Sequence, residues 1–512
     1  MLSPSLRISL HSISPTVRSS ADNRQQWINP YLGWTLLFIG ALTLFRLWFC
    51  TRLELVGDEA YYWICSRHLD LSYFDKGPGA AWTIAFGTHL FGDTVFGVRW
   101  PAVLLSAGTG IIIYALASRL FSPRVGFWSV IVCGVAPMFA VGSILMTIDP
   151  ISLFFWAAAA LAFWKALQSA DFTAWAITGL CLGLGALAKY TNLVELVSFT
   201  VFCASRREFR REFRRPGFYL MIAATLVCAT PMIIWNSQHD WITVRHLAHR
   251  GALDQAWRFS PADFGTFIGQ QAGVISPAIF LGVMIALFLP AAPEHRLARS
   301  YLLSLFLPLF SLYATLSLNH SAQANWTAPA YLAGFILMVS AWLPLIATRR
   351  LKAVAWTALV LAAIETILLH DNMHLLHLPE GRDPMDRAHG WAAMAEAAQE
   401  RKAAYQADFL LSNGYQNPSL LTFYIPGHPA IYSEPATEIH NQYSLWPGYR
   451  DLYPPGTSAI FVSDIDHLPS TIRRDFKNTS RLEPVSVVSH QRTVKSLYFY
   501  RCEHLLPPEE RE

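Results

Sequence analysis

Gly57-Asp58-Glu59-Ala60-Tyr61-Tyr62-Trp63 follows directly on the first long apolar run of the chain, and Tyr73-Phe74-Asp75-Lys76-Gly77-Pro78 precedes the next. Carboxylates held at the edge of hydrocarbon are costly, so acids kept there are candidates for chemistry. A carboxylate can take the proton from a hydroxyl. A lysine beside it can neutralise a phosphate leaving group. Tyrosine rings offer faces for a sugar, and a membrane edge suits a substrate with a lipid tail. These parts together point to transfer of a sugar from a lipid-phosphate carrier to an acceptor hydroxyl. No Walker A, G-x-G-x-x-G, H-E-x-x-H or G-x-S-x-G pattern offers a competing chemistry.

Further candidates fall at the ends of later apolar runs. Asp149 stands in Met146-Thr147-Ile148-Asp149-Pro150, Lys189 precedes Tyr190, and Asn325 stands in Gln323-Ala324-Asn325-Trp326. Each has a plainer reading. Asp58, Glu59 and Asp149 could be first-turn acids favoured by a helix dipole. Lys76 and Lys189 could snorkel to lipid headgroups. His239, His246 and His249 share one polar stretch and read more simply as interfacial than as metal ligands. The seven cysteines form no C-x-x-C pair and read as buried apolar residues.

The elements that must position these groups are membrane spans. Of the 512 residues, 53% are hydrophobic and only 14% charged, against about 25% charged in soluble domains. Spans are expected near 30–50, 96–118, 124–142, 150–168, 173–189, 191–204, 217–236, 264–290, 300–318, 327–347 and 352–370, about eleven in all. The pair at 173–204 could also be one long span. Arg119, Arg124, Lys165, the block from Arg206 to Arg215, Arg296, Arg299, Arg349, Arg350 and Lys352 then share one side, which the positive-inside rule makes cytoplasmic. The block itself reads as a topology signal against anionic lipid, not as a nucleic-acid site. Every candidate acid and lysine falls on the opposite side.

The expected organisation is a cytoplasmic N-terminal tail over 1–27, a transmembrane catalytic domain over 28–370 and a soluble α/β domain over 371–512. In that last part Trp391 to Ala404 reads as an amphipathic helix. Strands are expected at 408–411, 430–432, 459–462, 485–488 and 496–500. The fold class is thus a polytopic α-helical membrane protein with a C-terminal periplasmic α/β domain.

The ordered set of Asp58-Glu59, the Tyr-Phe-acid-Lys stretch and Asp149 resembles the GT-C membrane glycosyltransferases. It is most similar to the bacterial, family 39-like branch of the protein-mannosyltransferase and aminoarabinose-transferase superfamily. Arg382-Asp383-Pro384, Gly390-Trp391, Tyr415-Gln416, Phe423-Tyr424, Asn441-Gln442-Tyr443 and Trp446-Pro447 resemble the tail of that group. The resemblance implies a polyprenyl-phosphate sugar donor and an inverting single displacement in a bacterial inner membrane. It implies Asp58 as base on the acceptor, Asp75 and Lys76 near the donor phosphate, Asp149 shaping the site, and Tyr61 and Tyr62 lining the sugar pocket. The acceptor stays open among lipid A, another envelope glycan and a protein hydroxyl. A divalent cation also stays open, because the superfamily holds metal-bound and metal-independent members. Two departures weaken a link to aminoarabinose itself: Lys76-Gly77-Pro78 replaces Lys-Pro-Pro, and Asp75 replaces Glu. The alternatives are a transporter or flippase of a lipid-linked sugar, which would favour internal pseudo-symmetry, and a scaffold with a degenerate site.

Overall fold

The computed structural model describes residues 29–511 apart from 170, 252, 253, 255, 321, 371–386, 436, 437, 490 and 491. The expected N-terminal tail and Arg382-Asp383-Pro384 lie outside the described residues. Each apolar segment expected from the sequence is mainly helical, several of them with breaks. The helices run α1 Pro30–Phe49, α2 Gly57–Arg67, α3 Gly79–Phe91, α4 Val95–Leu120, α5 Pro123–Val135, α6 Pro137–Gly142, α7 Ile148–Gln168, α8 Phe172–Ala188, α9 Val194–Ser205, α10 Pro216–Gln238, α11 Ile242–Arg250, α12 Pro261–Ile275, α13 Pro277–Ala286, α14 Arg296–Leu316, α15 Ala328–Trp342 and α16 Arg349–Leu369.

Among the described residues six helices are long and apolar enough to cross a membrane, or seven if α12 and α13 count as one bent span. The larger number expected from hydropathy differs for local reasons. Pro137 separates α5 from α6, since proline supplies no N–H to a preceding turn. Pro277 follows a break at Ser276 where α12 and α13 meet at 109°. The 173–204 stretch is two helices parted by a 3-10 turn, Tyr190–Leu193. At 1.5 Å per residue, the 12 residues of α9 reach roughly 18 Å, short of a ~30 Å hydrocarbon core. A broken helix exposes backbone and polar side chains at membrane depth, which is tolerated where they are buried in protein or line a cavity.

The C-terminal part opens with α17, Trp391–Ala404, and continues through β1 Phe409–Ser412, α18 Gln416–Tyr424, β2 Tyr432–Ser433, β3 Ala459–Ser463, β4 Phe476–Arg481, β5 Val485–Ser489 and β6 Arg492–Leu505. The strand order is β2-β1-β3-β6-β4, with β5 also on β6. Strands β1, β2 and β3 are parallel, and β6 runs antiparallel to β3, β4 and β5. All residues of β1 and β3 are buried, so both faces of the sheet centre are covered. Strand β4 has only Phe476 fully buried, and its polar alternation carries no hydrophobic signal. Helix α18 is likewise absent from the sequence expectations.

This part is seated on the segment between α1 and α4. The Glu54 carboxylate accepts from the N–H groups of Trp391 at 2.5 Å and Ala392 at 3.2 Å, capping α17. The Leu55 N–H donates to the Tyr424 hydroxyl at 2.6 Å.

Candidate active site

The site assembles at one end of the helices. Asp149 lies in the first turn of α7, and Lys189 ends α8. The Lys189 Nζ donates to Asp149 Oδ1 at 2.7 Å and to the Asn325 carbonyl at 3.3 Å. The Asn325 amide donates to Asp149 Oδ2 at 2.8 Å. Two uncharged pairs lock this triangle. Ser152 and Asn192 exchange two hydrogen bonds, holding α7 against the turn after Lys189. Gln271 of α12 donates to the Ala324 carbonyl and accepts from Thr327 and Tyr331, fixing the turn that presents Asn325.

A second pair faces it. The Lys76 Nζ lies 2.7 Å from Asp75 Oδ2, 4.5 Å from the Tyr62 ring centroid and 5.3 Å from that of Tyr61. Asp75 Oδ1 is buried without a hydrogen-bond partner. Gly77 explains the Lys-Gly-Pro departure noted above: a Cβ there would overlap the Leu187 carbonyl of α8. The loop bearing Lys76 therefore runs directly over the end of the helix that bears Lys189. Tyr190 continues the contact, its hydroxyl 3.4 Å from Ser72 Oγ.

Asp58 in the first turn of α2 completes the set. Its Oδ1 accepts from Gln416 Nε2 at 2.9 Å and from the Tyr415 hydroxyl at 3.3 Å. Electrostatics place the three acids around one ring. Burial first, then the charges of Asp58, Asp75 and Asp149, hold the Tyr62 hydroxyl well above its ordinary range. Burial would pull the Lys76 ammonium down, but Asp75 and Asp58 outweigh it and keep it more basic than usual. Lys76 and Lys189 each have a paired carboxylate, whereas among the described residues Asp58 has only neutral donors within hydrogen-bond reach. That is the arrangement of an available base beside two cations able to take a phosphate.

The opposite ends of the same helices carry the basic residues. Lys165 lies in the last turn of α7. The arginine-rich 3-10 helix Arg207–Arg214 follows α9. Arg119 lies in the last turn of α4.

Comparison with known proteins finds relatives of sequence and of fold. The family model for dolichyl-phosphate-mannose-protein mannosyltransferase matches residues 75–235. Lipid A galacturonosyltransferase RgtD of Rhizobium johnstonii is 29% identical over 373 residues, 71% of this chain and 76% of that protein. The undecaprenyl phosphate-alpha-4-amino-4-deoxy-L-arabinose arabinosyl transferase of Pseudomonas aeruginosa is 29% identical over 223 residues, 40% of each. The crystal structure of ArnT from Cupriavidus metallidurans bound to undecaprenyl phosphate superposes with a TM-score of 0.59 and 17% identity, covering 91% of this chain and 98% of that one. The chain has the GT-C fold and is a membrane-embedded glycosyltransferase by its likeness to these enzymes.

Two expected site residues of the transferase sit elsewhere than anticipated. Glu59, grouped with the catalytic acids, is fully buried. Arg99 of α4 grips it through Nε and Nη2 at 2.8 and 2.6 Å. Its oxygens also accept from Met146 N at 2.8 Å and Val56 N at 3.1 Å. With its acceptor capacity used and no exposure, Glu59 positions α2 and meets no substrate. Tyr61, expected to line a sugar pocket, is 1% exposed. Its hydroxyl accepts from Gln442 N at 2.9 Å, and its ring packs 4.6 Å from that of Tyr415. It joins α2 to the C-terminal part of the transferase. The histidines do not converge: His239 stacks on Trp235, His246 meets Phe74, and His249 pairs with Asp254. Among the described residues no group of three or more His, Cys, Asp or Glu is arranged to hold a metal ion.

The groups that sequence reasoning missed are instructive. Arg99 is an ionisable residue inside an apolar span, which is itself a signal. Tyr415, Gln416 and Gln442 enter the sequence reading only as part of a family-like tail, with no role. Gln416 presses on Gly57, where a Cβ would fall 2.7 Å from its side-chain carbons. A neutral-to-charged hydrogen bond contributes ~1.5–3 kcal/mol. Gln416→Ala is therefore expected to lower transferase turnover about ten- to hundredfold with the protein still folded. Gln416→Glu puts a like charge beside Asp58, raising its proton affinity. The pH at which activity appears should then move upward, as a pH–rate profile would show.

Proposed function

We propose that this transferase moves a sugar from a polyprenyl-phosphate carrier to a hydroxyl of lipid A or a related envelope glycan. We place the reaction on the periplasmic face of a bacterial inner membrane, with 28–370 as the catalytic membrane domain and 371–512 as a periplasmic domain completing the site. RgtD and the arabinosyl transferase support the donor and acceptor classes by their names. The segregation of arginines to the far helix ends supports the orientation.

The steps follow from the side chains. Lys76 and Lys189 receive the donor phosphate. Asp58 accepts the proton of the acceptor hydroxyl as its oxygen attacks the anomeric carbon. The bond from that carbon to the phosphate oxygen breaks, and polyprenyl phosphate leaves with the electron pair. Tyr62, set among three carboxylates, remains a neutral phenol that can donate to the sugar or phosphate. The observation carrying this reading is the position of Asp58, an acid with no lysine of its own among two acid–lysine pairs. A strain lacking the gene should lose one sugar-bearing envelope lipid, restored by the wild-type chain, in mass spectra of lipid extracts. Unchanged lipids in the deletion strain would refute the reading.

A further inference from the structure

A cavity of about 620 Å³ lies between α1, α16 and the kinked α5–α6 segment. Its walls are apolar and include Phe45, Phe49, Val135, Ala363 and Ile367. Two cations, Arg46 and Arg52, also line it, together with the His370 imidazole. Among the described residues lining it there is no acid. Arg52 lies 4.8 Å over the Trp48 ring, and His370 packs 5.1 Å from Phe49. Arg46 is different. It is 8% exposed, and among the described residues no hydrogen bond or ion pair reaches its guanidinium. A buried guanidinium without a partner is costly, and native structures supply one.

Position along the helices points to the partner. Arg46 lies three residues before the end of α1, roughly 4.5 Å along the axis. His370 caps the adjacent end of α16. Both helix ends are on the active-site side. The mouth is flanked by exposed Phe45 and Trp48, 42% and 56% exposed, and α16 is almost wholly turned to the bilayer. The surroundings are hydrocarbon on one side and unbalanced positive charge on the other.

We propose that this cavity binds one anionic phospholipid, its phosphate on Arg46 with Arg52 and His370 beside it and an acyl chain along α1 and α16. The occupant is a resident lipid of the bilayer and is separate from the sugar donor, whose lysines lie at the ends of other elements. Native mass spectrometry of the full chain in neutral detergent tests this, with phosphatidylglycerol, phosphatidylcholine or inorganic phosphate added at equal concentration. The expected result is at least about tenfold greater retention of phosphatidylglycerol than of phosphatidylcholine. Arg46→Leu should abolish that preference. Ala363→Trp, which keeps Arg46 but fills the cavity, should lose the retained lipid and guards against an unfolded Arg46 variant. Equal retention of both lipids by the wild type, or an unchanged preference in either folded variant, would overturn the proposal. So would inorganic phosphate displacing the lipid completely, since the acyl chain would then contribute nothing.

Discussion

Arg99→Met will leave little folded protein in the membrane. The Arg99 guanidinium is fully buried and makes five hydrogen bonds: two to Glu59 and three to the carbonyls of Cys50, Leu53 and Glu54. Removing it strands a buried carboxylate, a loss of about 3–5 kcal/mol, and orphans three carbonyls as well. That is a large part of a typical folding free energy. Glu59→Gln should cost less, because one amide oxygen still accepts from Arg99 and the three carbonyl contacts of Arg99 survive, while the amide NH2 replaces one acceptor oxygen. A Glu59→Leu, Arg99→Met double variant should not recover the wild type, since the carbonyls remain unpaired. Fluorescence-detected size exclusion and thermal melting of the detergent-solubilised variants would order them wild type, then Glu59→Gln, then Arg99→Met. An Arg99→Met protein as stable as wild type would show that the loop leading to Asp58 is held by something else.

Most of the fold is legible in the sequence because its signals are local. Apolar runs mark each membrane helix, and one-sided arginines mark two faces. Short apolar and β-branched runs mark β1, β3 and β5. What hydropathy does not show is where a helix breaks. Pro137, Ser276-Pro277 and the turn after Lys189 interrupt continuous apolar sequence, and the last of these shapes the site directly. Asp58, Asp75, Lys76, Asp149, Lys189 and Asn325 are legible as ionisable or amide groups at run ends, and their gathering around Tyr62 follows the same logic. Glu59 is misread because its neighbour in sequence, Asp58, points to a different partner in space. Nothing local tells which of two adjacent acids will meet an arginine forty residues away. Gln416 and Gln442 are opaque for the same reason: a glutamine carries no sequence signal until the C-terminal part is seated on α2.

Asp58→Asn will insert and fold but not transfer sugar. The substitution keeps shape, and the carbonyl oxygen of the new amide can still accept from Gln416 and Tyr415. What it removes is the capacity to hold the acceptor's proton, which in general-base catalysis is worth a factor on the order of 10²–10⁴. Lys76 keeps Asp75 and Lys189 keeps Asp149 as partners, so the phosphate end of the site is left intact. Turnover and donor affinity should therefore separate. The direct measurement is sugar transfer to lipid A by the purified chain in proteoliposomes, wild type against Asp58→Asn, alongside binding of undecaprenyl phosphate to the same preparations. The account predicts undecaprenyl phosphate binding within about threefold of wild type and transfer reduced by at least about a hundredfold. Transfer at the wild-type rate by Asp58→Asn would contradict it.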